Sequence, residues 1–237
     1  MFASIVLPAY NEADNLNLLI PSICKNMEGI QSYEVVVVDD NSPDHTKSVV
    51  ENLNAQGLPV RLIVRTKNRG FANSIREGIE SSDSEYVIIM DSDGNHNPEY
   101  LPFMCMNTKF YDCIAASRFQ YGGGMEEQNR QILSWLFNIF VRVVSGNYIT
   151  DSLFGYLIIR RDLLNKVNFD KVFWGYGDYC IRLLFYLQKM QINILQYPAR
   201  NGARVHGEGN SKFIKVFWQY FTETLKLVYR ERILNGK

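Results

Sequence analysis

The sequence lacks several features that mark common classes of protein. Its 25 basic and 25 acidic residues leave no net charge, which excludes a nucleic-acid binder that works through bulk positive charge. The four scattered cysteines form no C-x-x-C pair and show no metal-ligand spacing. They are Cys24, Cys105, Cys113 and Cys180. We therefore expect small, mostly buried thiols in a reducing compartment.

A long uninterrupted apolar run is also missing. The most apolar stretch, residues 132–149, is interrupted by Asn138, Arg142 and Gly146. It falls short of a membrane span and indicates an amphipathic helix at an interface instead. The few apolar residues after Met1 are followed at once by PAYNEADN, which does not fit a signal peptide. We expect a cytoplasmic protein.

Strand-like and helix-like segments alternate through the first half of the chain. ASIVLPAYN, YEVVVVDD, VRLIVRTKN and YVIIMDSD predict strands, and the segments between them have helical spacing. This alternation predicts a parallel, doubly wound α/β sheet. In such sheets ligands lie beyond the carboxyl ends of the strands. The polar clusters PAYNE, DDNSPD, KNRG and DSDGN fall there.

The second half is less regular. DCIAASRF and INILQYP predict strands, GYGDYCIRLLFYLQKM predicts a helix, and FIKVFWQYFTETLKLVYRERI predicts a C-terminal helix. A glycine-rich segment at Gly122–Gly124 is not a Walker loop, because no G-K-[ST] follows, and we expect a mobile flap there. No internal repeat or linker divides the 237 residues. A chain of this length can bury one large core, so we expect one domain.

Asp91 and Asp93 follow the strand at residues 86–90, separated by one serine. In an extended chain both carboxylates project to the same side, and a divalent cation would relieve their repulsion. Mg²⁺ and Mn²⁺ suit such a pair when phosphate oxygens complete the coordination. An Asx-rich turn that ends a strand is the alternative. An EF-hand is excluded, because its loop needs glycine at the sixth position, which is His96 here. A haloacid-dehalogenase-like phosphohydrolase that uses Asp91 stays as a further alternative.

Other charged positions have a functional and a structural interpretation each. Asp40 ends a valine-rich strand, where a carboxylate can bind a nucleotide base or ribose, or cap the following helix. Asp178 stands near a predicted helix start, which favours an acidic residue, but it could also be a general base. The three histidines lack triad partners and zinc spacing, so we expect solvent or loop residues, with His206 the nearest to a ligand.

Basic residues in predicted loops indicate phosphate recognition. Guanidinium groups bind phosphate oxygens in a bidentate manner, and lysine supplies a point charge. The positions concerned are Arg118, Arg130, Arg204 and Lys212.

Seven short motifs occur in an order that resembles family 2 glycosyltransferases. They are IVLPAYNEADN, VVDDNSPDHT, NRGFANSIREGI, IMDSDGNHNPEYLP, ASRF, GGGMEEQNR and GEGNSK. Within that family the chain is most similar to the dolichol-phosphate mannose synthases and related polyprenyl-phosphate glycosyltransferases. The resemblance implies a GT-A fold, a single Rossmann-like domain with a mixed central sheet. Residues 1–120 would form the nucleotide-binding half, and residues 121–237 the acceptor-binding half with a C-terminal amphipathic helix.

The resemblance also implies residue roles. Asp91 and Asp93 would bind Mg²⁺ or Mn²⁺, and Asp93, Arg118 and Asp178 would be the catalytic residues. The remaining implied contacts are with substrate. They are Pro8, Ala9, Tyr10 and Glu12 in the nucleotide pocket, Asp40 at the base or ribose, Ser92 at the substrate, and Asn95 beside the metal. Arg118 and Arg130 would meet phosphates, and Arg204 and Lys212 would close over the diphosphate and the acceptor phosphate.

The implied reaction is a metal-dependent, inverting transfer of a hexose from a nucleoside-diphosphate sugar to a polyprenyl phosphate. GDP-mannose and UDP-glucose are the leading donors. The Arg204–Lys212 spacing is longer than in the closest relatives, so Arg200 is an alternative. Asp178 resembles the base of relatives that glycosylate hydroxyl groups, which leaves a glycan acceptor open. A further alternative is a subunit that binds nucleotide without catalytic activity, but the intact D-x-D argues against it. Contact with lipid would come through the amphipathic helices or a membrane-anchored partner.

Overall fold

The computed structural model describes residues 1–30, 32–202 and 213–234, and a 7-stranded sheet is its centre. The strands of this sheet are β1 (Ala3–Ala9), β2 (Tyr33–Asp39), β3 (Val60–Val64), β4 (Tyr86–Ile89), β5 (Cys113–Ser117), β7 (Leu157–Arg160) and β8 (Ile194–Pro198). Their order across the sheet is β3-β2-β1-β4-β7-β5-β8. Two further short strands, β6 (Gly124–Met125) and β9 (Arg200–Asn201), pair with each other.

The sheet is mixed, which confirms the fold class that the resemblance implied. Strands β3, β2, β1 and β4 run parallel, as the strand–helix alternation predicted. Strand β7 is antiparallel to both of its neighbours, β4 and β5, while β5 and β8 are parallel. The alternation was read only over the first half of the chain, and β7 belongs to the less regular second half. The apolar pattern of a strand carries no information on its direction.

Helices cover both faces of the sheet. They are α1 (Ala13–Asn26), α2 (Thr46–Ala55), α3 (Phe71–Glu80), α4 (Leu101–Asn107), α5 (Gln128–Ser145), α6 (Arg161–Leu164), α7 (Phe169–Val172), α8 (Tyr179–Lys189) and α9 (Phe213–Val228). A 3-10 turn at Pro98–Tyr100 precedes α4, and a π-helical turn at Tyr229–Leu234 follows α9. The predicted flap is partly a strand, since Gly124 belongs to β6.

The valine run of β2 shows how the core is divided. Val35 and Val37 pack on one face, with the buried side chains of α1 and α2. Val36 and Val38 pack on the other, with those of α3 and α8. A strand alternates its side chains between faces, so an unbroken apolar run fits a sheet covered on both sides. Each buried valine stabilises the fold by about 1.5–3 kcal/mol.

A third apolar cluster joins α5, α8 and α9 beside the sheet. Its buried members include Phe137, Ile181 and Tyr220, and the rings of Phe140 and Phe221 stack with centroids 4.6 Å apart. After α9, Glu231 accepts hydrogen bonds from Lys171 and Tyr186, among others. This buried carboxylate fastens the end of the described chain to α7 and α8.

Candidate functional site

A cavity of about 1270 Å³ opens at the carboxyl ends of β1, β2 and β4. Because these strands are adjacent and parallel, their end residues meet at one edge of the sheet. The residues predicted from the sequence that line the cavity are Pro8, Ala9, Tyr10, Glu12, Asp40, Asp91, Ser92, Asp93, Asn95, Arg118 and Arg130. Arg204 and Lys212 lie outside the described residues, as does His206.

The loop after β4 holds its acidic residues through local hydrogen bonds. The Asn95 backbone N–H donates to Asp93 Oδ1 at 3.1 Å, and the Asn95 side-chain amide donates to Asp93 Oδ2 at 2.6 Å. Gly94, with φ of 85°, makes the turn that brings them together, a conformation that glycine adopts without strain. Ser92 Oγ donates to the Pro8 carbonyl at 2.7 Å. Ser92 thus ties the loop to β1, and Asn95 orients the Asp93 carboxylate.

The two carboxylates fit a metal ion that binds together with phosphate. Asp91 and Asp93 both line the cavity, and the Asp91 side chain is 30% exposed. Among the described residues, no group of three or more His, Cys, Asp or Glu side chains is arranged to hold a metal. Mg²⁺ typically binds through one or two carboxylates plus substrate phosphates rather than in an all-protein cage. The residues present suit that mode.

His96 lies in this loop, as expected, but its ring is buried rather than exposed to solvent. The ring is 1% exposed and stacks on Tyr156 at 4.8 Å, with Phe154 edge-on at 4.6 Å. The Asp91 backbone N–H donates to Nδ1 at 2.9 Å, and Nε2 lies 2.9 Å from the Phe154 carbonyl oxygen. Burial lowers the pKa of His96 to about 3. The aromatic partners are 58 or more positions away, and no local pattern reveals them.

Asp40 lines the cavity, but both of its carboxylate oxygens bind the protein. Oδ1 accepts from Arg65 Nη1 at 2.6 Å and from Ser74 Oγ at 2.9 Å, and Oδ2 accepts from the Gly70 N–H at 2.6 Å. These bonds fix the loop after β3. That loop presents Arg69, whose guanidinium lies 5.2 Å from the centre of the Tyr10 ring. Sequence reasoning missed Arg65 and Arg69, although KNRG marked the loop.

Arg118 is held in a buried ion pair with Asp151, a residue that sequence reasoning missed. Nε and Nη2 donate to the two carboxylate oxygens at 2.7 and 2.8 Å, and the Arg118 backbone N–H adds a third bond at 3.0 Å. Burial alone would lower the pKa of Arg118, but the charge of Asp151 raises it. The bidentate geometry fixes the guanidinium plane and keeps it charged. Arg118 therefore lies on the cavity wall with its guanidinium fixed in place and its charge paired with that of Asp151.

Arg130 lies in the first turn of α5 rather than in the predicted loop. It lines the cavity together with Leu133 and Phe137 of the same helix. Val216 and Phe217 of α9 contribute to the same region. The cavity therefore has a polar wall at the sheet edge and an apolar wall between α5 and α9.

The apolar wall continues onto an exposed surface. Large apolar side chains that are 42–76% exposed occur along α5 and α9: Ile132, Leu133, Trp135, Leu136, Val143, Trp218 and Leu225. We call these residues the apolar face. Over the ranges described here, no helix is long and apolar enough to cross a membrane. Large exposed apolar patches mark interaction sites with proteins, membranes or ligands.

Asp178 is not among the residues that line the cavity, although its neighbours Gly177 and Tyr179 are. It begins α8, as the helix-start interpretation predicted, and is 1% exposed. Its carboxylate pairs with Arg182 and accepts the Tyr176 N–H at 3.0 Å. The Arg182 guanidinium lies 3.8 Å from the centre of the Trp174 ring. A general base must reach the proton it takes, and in this structure the Asp178 carboxylate faces Arg182 instead. Arg200 is exposed and is also not among the lining residues.

The sequence is similar to three mannosyltransferases over most of its length. It is 28% identical over 235 residues to a dolichol-phosphate mannosyltransferase of Pyrococcus furiosus, covering 97% of this chain and 63% of that protein. The chain thus spans less than two thirds of that relative. It is 29% identical over 210 residues to an undecaprenyl-phosphate mannosyltransferase of Micrococcus luteus, covering 86% and 84%. A dolichol-phosphate mannosyltransferase of Saccharomyces cerevisiae is 26% identical over 232 residues, covering 94% and 86%.

Solved structures and a family model agree with the fold. Glucosyl-3-phosphoglycerate synthase from Mycobacterium tuberculosis, in complex with Mn²⁺, UDP and phosphoglyceric acid, superposes with a TM-score of 0.73 at 18% identity. The match covers 96% of this chain and 78% of that one, and it shows the GT-A fold. The model of Glycosyl transferase family 2 matches residues 4–167. The chain therefore belongs to glycosyl transferase family 2.

Proposed function

We propose that this glycosyltransferase moves a hexose from a nucleoside-diphosphate sugar to a polyprenyl phosphate. The observation that carries the proposal is a cavity that has one polar and one apolar wall. Asp91 and Asp93 line its polar wall, and α5 and α9 form its apolar wall. A nucleotide sugar suits the first, and the first isoprene units of a lipid phosphate suit the second. The names of the three relatives support this pairing.

The donor would bind at the sheet edge. We propose that residues 1–120 supply this site, with Tyr10 and Arg69 beside the base and Asp40 holding the loop that carries Arg69. Asp91 and Asp93 would hold Mg²⁺ or Mn²⁺, with Asn95 orienting Asp93. The ion supplies charge stabilisation for the departing nucleoside diphosphate. GDP-mannose and UDP-glucose are the leading donors. Two relatives are named dolichol-phosphate mannosyltransferase, and the Mycobacterium tuberculosis enzyme was crystallised with Mn²⁺ and UDP-glucose.

The acceptor would be an ionised phosphate. A phosphate monoester has its second pKa near 6, so near neutral pH it needs no general base. Arg118 and Arg130, together with Arg204 and Lys212, would bind the phosphates. An acceptor phosphate oxygen forms the new bond to the anomeric carbon while the bond from that carbon to the donor phosphate oxygen breaks. The bonding electrons leave with the nucleoside diphosphate, and the configuration inverts.

A hydroxyl acceptor receives less support. It would need a base to take its proton, and Asp178, the residue expected to serve, is buried against Arg182. Residues 121–237, which supply α5 and α9, would form the acceptor half and suit a lipid better than a glycan.

The enzyme would meet its lipid at a membrane surface. The apolar face carries two tryptophans, Trp135 and Trp218, that are 47% and 58% exposed. Tryptophan on an amphipathic helix is typical of contact with the interfacial region of a bilayer. The four cysteines are free thiols, which fits the cytoplasmic face of the membrane. We propose peripheral contact there, directly or beside a membrane-anchored partner.

A thermal-shift panel tests the donor half of the proposal. GDP, UDP, dTDP, CDP and ADP are each added with and without Mn²⁺. A nucleotide at about 100 times its Kd should raise the melting temperature by about 5–10 °C, and only with the metal. A strong shift with one nucleotide identifies the nucleotide base of the donor. No shift from any nucleotide contradicts the proposal.

A further inference from the structure

We infer that His96 is a positioning residue that holds the Asp91 end of the metal-binding loop through the Asp91 backbone. The inference rests on the proposed metal-dependent transfer. The inference concerns the His96 ring. The proposed function gives this ring no substrate contact, and the sequence predicted no role for it at the site.

The hydrogen bonds of the ring define its tautomer. The Asp91 N–H donates to Nδ1 at 2.9 Å, so Nδ1 must present its lone pair. Nε2 lies 2.9 Å from the Phe154 carbonyl oxygen, which can only accept, so Nε2 carries the proton. Each ring nitrogen therefore has one suitable partner, and the imidazole is neutral with its proton on Nε2.

The surroundings prevent the ring from turning. Tyr156 stacks on it almost in parallel, at an interplanar angle of 6°, and Phe154 meets it edge-on. The Tyr156 hydroxyl also donates to the Asn97 carbonyl at 3.2 Å, and the His96 backbone bridges to Asn201. The ring therefore joins the Asp91 loop to the segment before β7, and the His96 backbone joins the loop to β9.

The two metal-binding carboxylates are thus held by different residues. Asn95 orients the Asp93 carboxylate directly. His96 fixes Asp91 through its backbone, since His96 Nε2 and Asp91 Oδ2 are 3.6 Å apart, too far for a hydrogen bond. Residues that orient metal ligands typically change metal affinity by 10–100-fold when they are mutated. We expect His96 to act in this way.

Three substitutions separate the hydrogen bond from the packing. His96→Phe keeps an aromatic ring but removes both bonds. His96→Asn places an amide oxygen near the position of Nδ1, where it can accept the Asp91 N–H, whereas His96→Gln places its amide nearer Nε2. Ile23→Val, in a fully buried position of α1, is the control for a general loss of stability of about 1 kcal/mol.

The first readout is Mn²⁺ affinity, measured from the electron paramagnetic resonance signal of free Mn²⁺ with saturating GDP and, in parallel, with saturating UDP. His96→Phe and His96→Gln should weaken Mn²⁺ binding by about 10–100-fold, while His96→Asn and Ile23→Val stay close to wild type. The second readout is hydrogen exchange of residues 91–97 in the metal-free protein. Exchange should be faster in the Phe and Gln variants than in the Asn variant.

The outcomes distinguish this inference from the proposed function. Wild-type affinity in His96→Phe, or an equal loss in Ile23→Val, overturns the role of His96 while the metal site stands. If His96→Phe does not fold, the matched Asn and Gln variants decide, and equal Mn²⁺ affinity and equal exchange in those two overturn the inference. Absence of Mn²⁺ binding by the wild-type protein with either nucleotide overturns the metal proposal and this inference together.

Discussion

The two walls of the cavity are built in different ways. The polar wall consists of loops at strand ends, and hydrogen bonds fix each of them: Ser92 to Pro8, and Asp40 to Gly70. The apolar wall consists of the side chains of α5 and α9, which pack through aromatic contacts such as Phe137 with Phe217 at 5.2 Å. Directional bonds place charged groups accurately, whereas apolar packing adapts to shape.

This difference teaches where each substrate would be recognised. A metal ion needs oxygen ligands at fixed positions, which the strand-end loops provide, and a diphosphate needs that metal together with hydrogen-bond donors at fixed positions. A polyprenyl chain offers only apolar surface and needs area rather than precise directions. If the division is correct, a mutation in one wall should leave the function of the other wall unchanged.

The largest expected effect comes from Asp93→Ala in the polar wall. Loss of one of the two carboxylates proposed to bind the metal should lower kcat/KM by about a thousandfold, since a metal ion supplies several kcal/mol of transition-state stabilisation. Calorimetry should show that Mn²⁺-dependent nucleotide binding is lost while the melting temperature is retained. Asp83→Ala, at an exposed acidic position, is the control. Mn²⁺-stimulated activity in Asp93→Ala would refute the metal assignment.

Asp178→Asn should reduce stability more than it reduces transfer. Arg182 would be left buried beside a neutral side chain, which costs about 3 kcal/mol of unfolding free energy. Transfer to a phosphate acceptor, measured below the melting temperature, should change by less than about threefold, because no base is needed. A loss of a hundredfold or more in kcat with an unchanged denaturation midpoint would restore Asp178 as the base.

The double variant Trp135→Glu/Trp218→Glu tests the apolar face. Each aromatic side chain buried in the membrane contributes about 1.5–3 kcal/mol, so loss of both should weaken binding to vesicles by at least about 100-fold. The Mn²⁺-dependent thermal shift with nucleotide should remain. Phe110→Glu is the matched control, because Phe110 is 73% exposed and lies outside the apolar face. Equal vesicle binding by wild type and the double variant would contradict the proposed membrane contact.

The smallest effect is expected at Glu231, which fastens the chain end to α7 and α8. Burial alone would raise its pKa, but hydrogen bonds from Lys171, Tyr186 and Lys189 lower it from 4.5 to about 2. Because the folded-state pKa is lowered, this stabilisation is complete above about pH 4.5 and is lost as the pH falls towards 2.

Glu231→Gln should therefore cost about 1 kcal/mol at pH 7, a modest value because the two lysines are partly exposed to solvent. The difference in unfolding free energy between wild type and variant should shrink as the pH falls from 5 to 2. Denaturant titrations at a series of pH values measure it. A difference that is constant with pH would exclude the ion pairs as its source.

The fold and the polar wall could be predicted to a large extent. An apolar run that ends in polar residues fixes the strand and the position of its end, so PAYNE and DSDGN were placed correctly at the sheet edge. The mixed sheet came only from the resemblance, since strand direction at β7 has no signature in the pattern.

The contacts across the chain could not be predicted. Asp151 pairs with Arg118, Phe154 with His96 and Arg65 with Asp40. These partners are 25 to 58 positions apart, and their meeting depends on how loops close in three dimensions. Asp178 shows the same limit in reverse. Its resemblance to the base of relatives that glycosylate hydroxyl groups suggested a catalytic role, whereas in the structure its carboxylate pairs with Arg182, one turn later on α8.

The central claim is tested most directly by a comparison of two acceptors of equal chain length, farnesyl phosphate and farnesol. The wild-type enzyme is incubated with GDP-mannose and UDP-glucose separately, with Mn²⁺ or with EDTA, and the lipid products are identified by mass spectrometry. The account predicts that farnesyl phosphate, and not farnesol, is converted to farnesyl hexosyl phosphate. This product should form with one of the two donors and only when the metal is present. Glycosylated farnesol, or a product that forms equally well in EDTA, would contradict it.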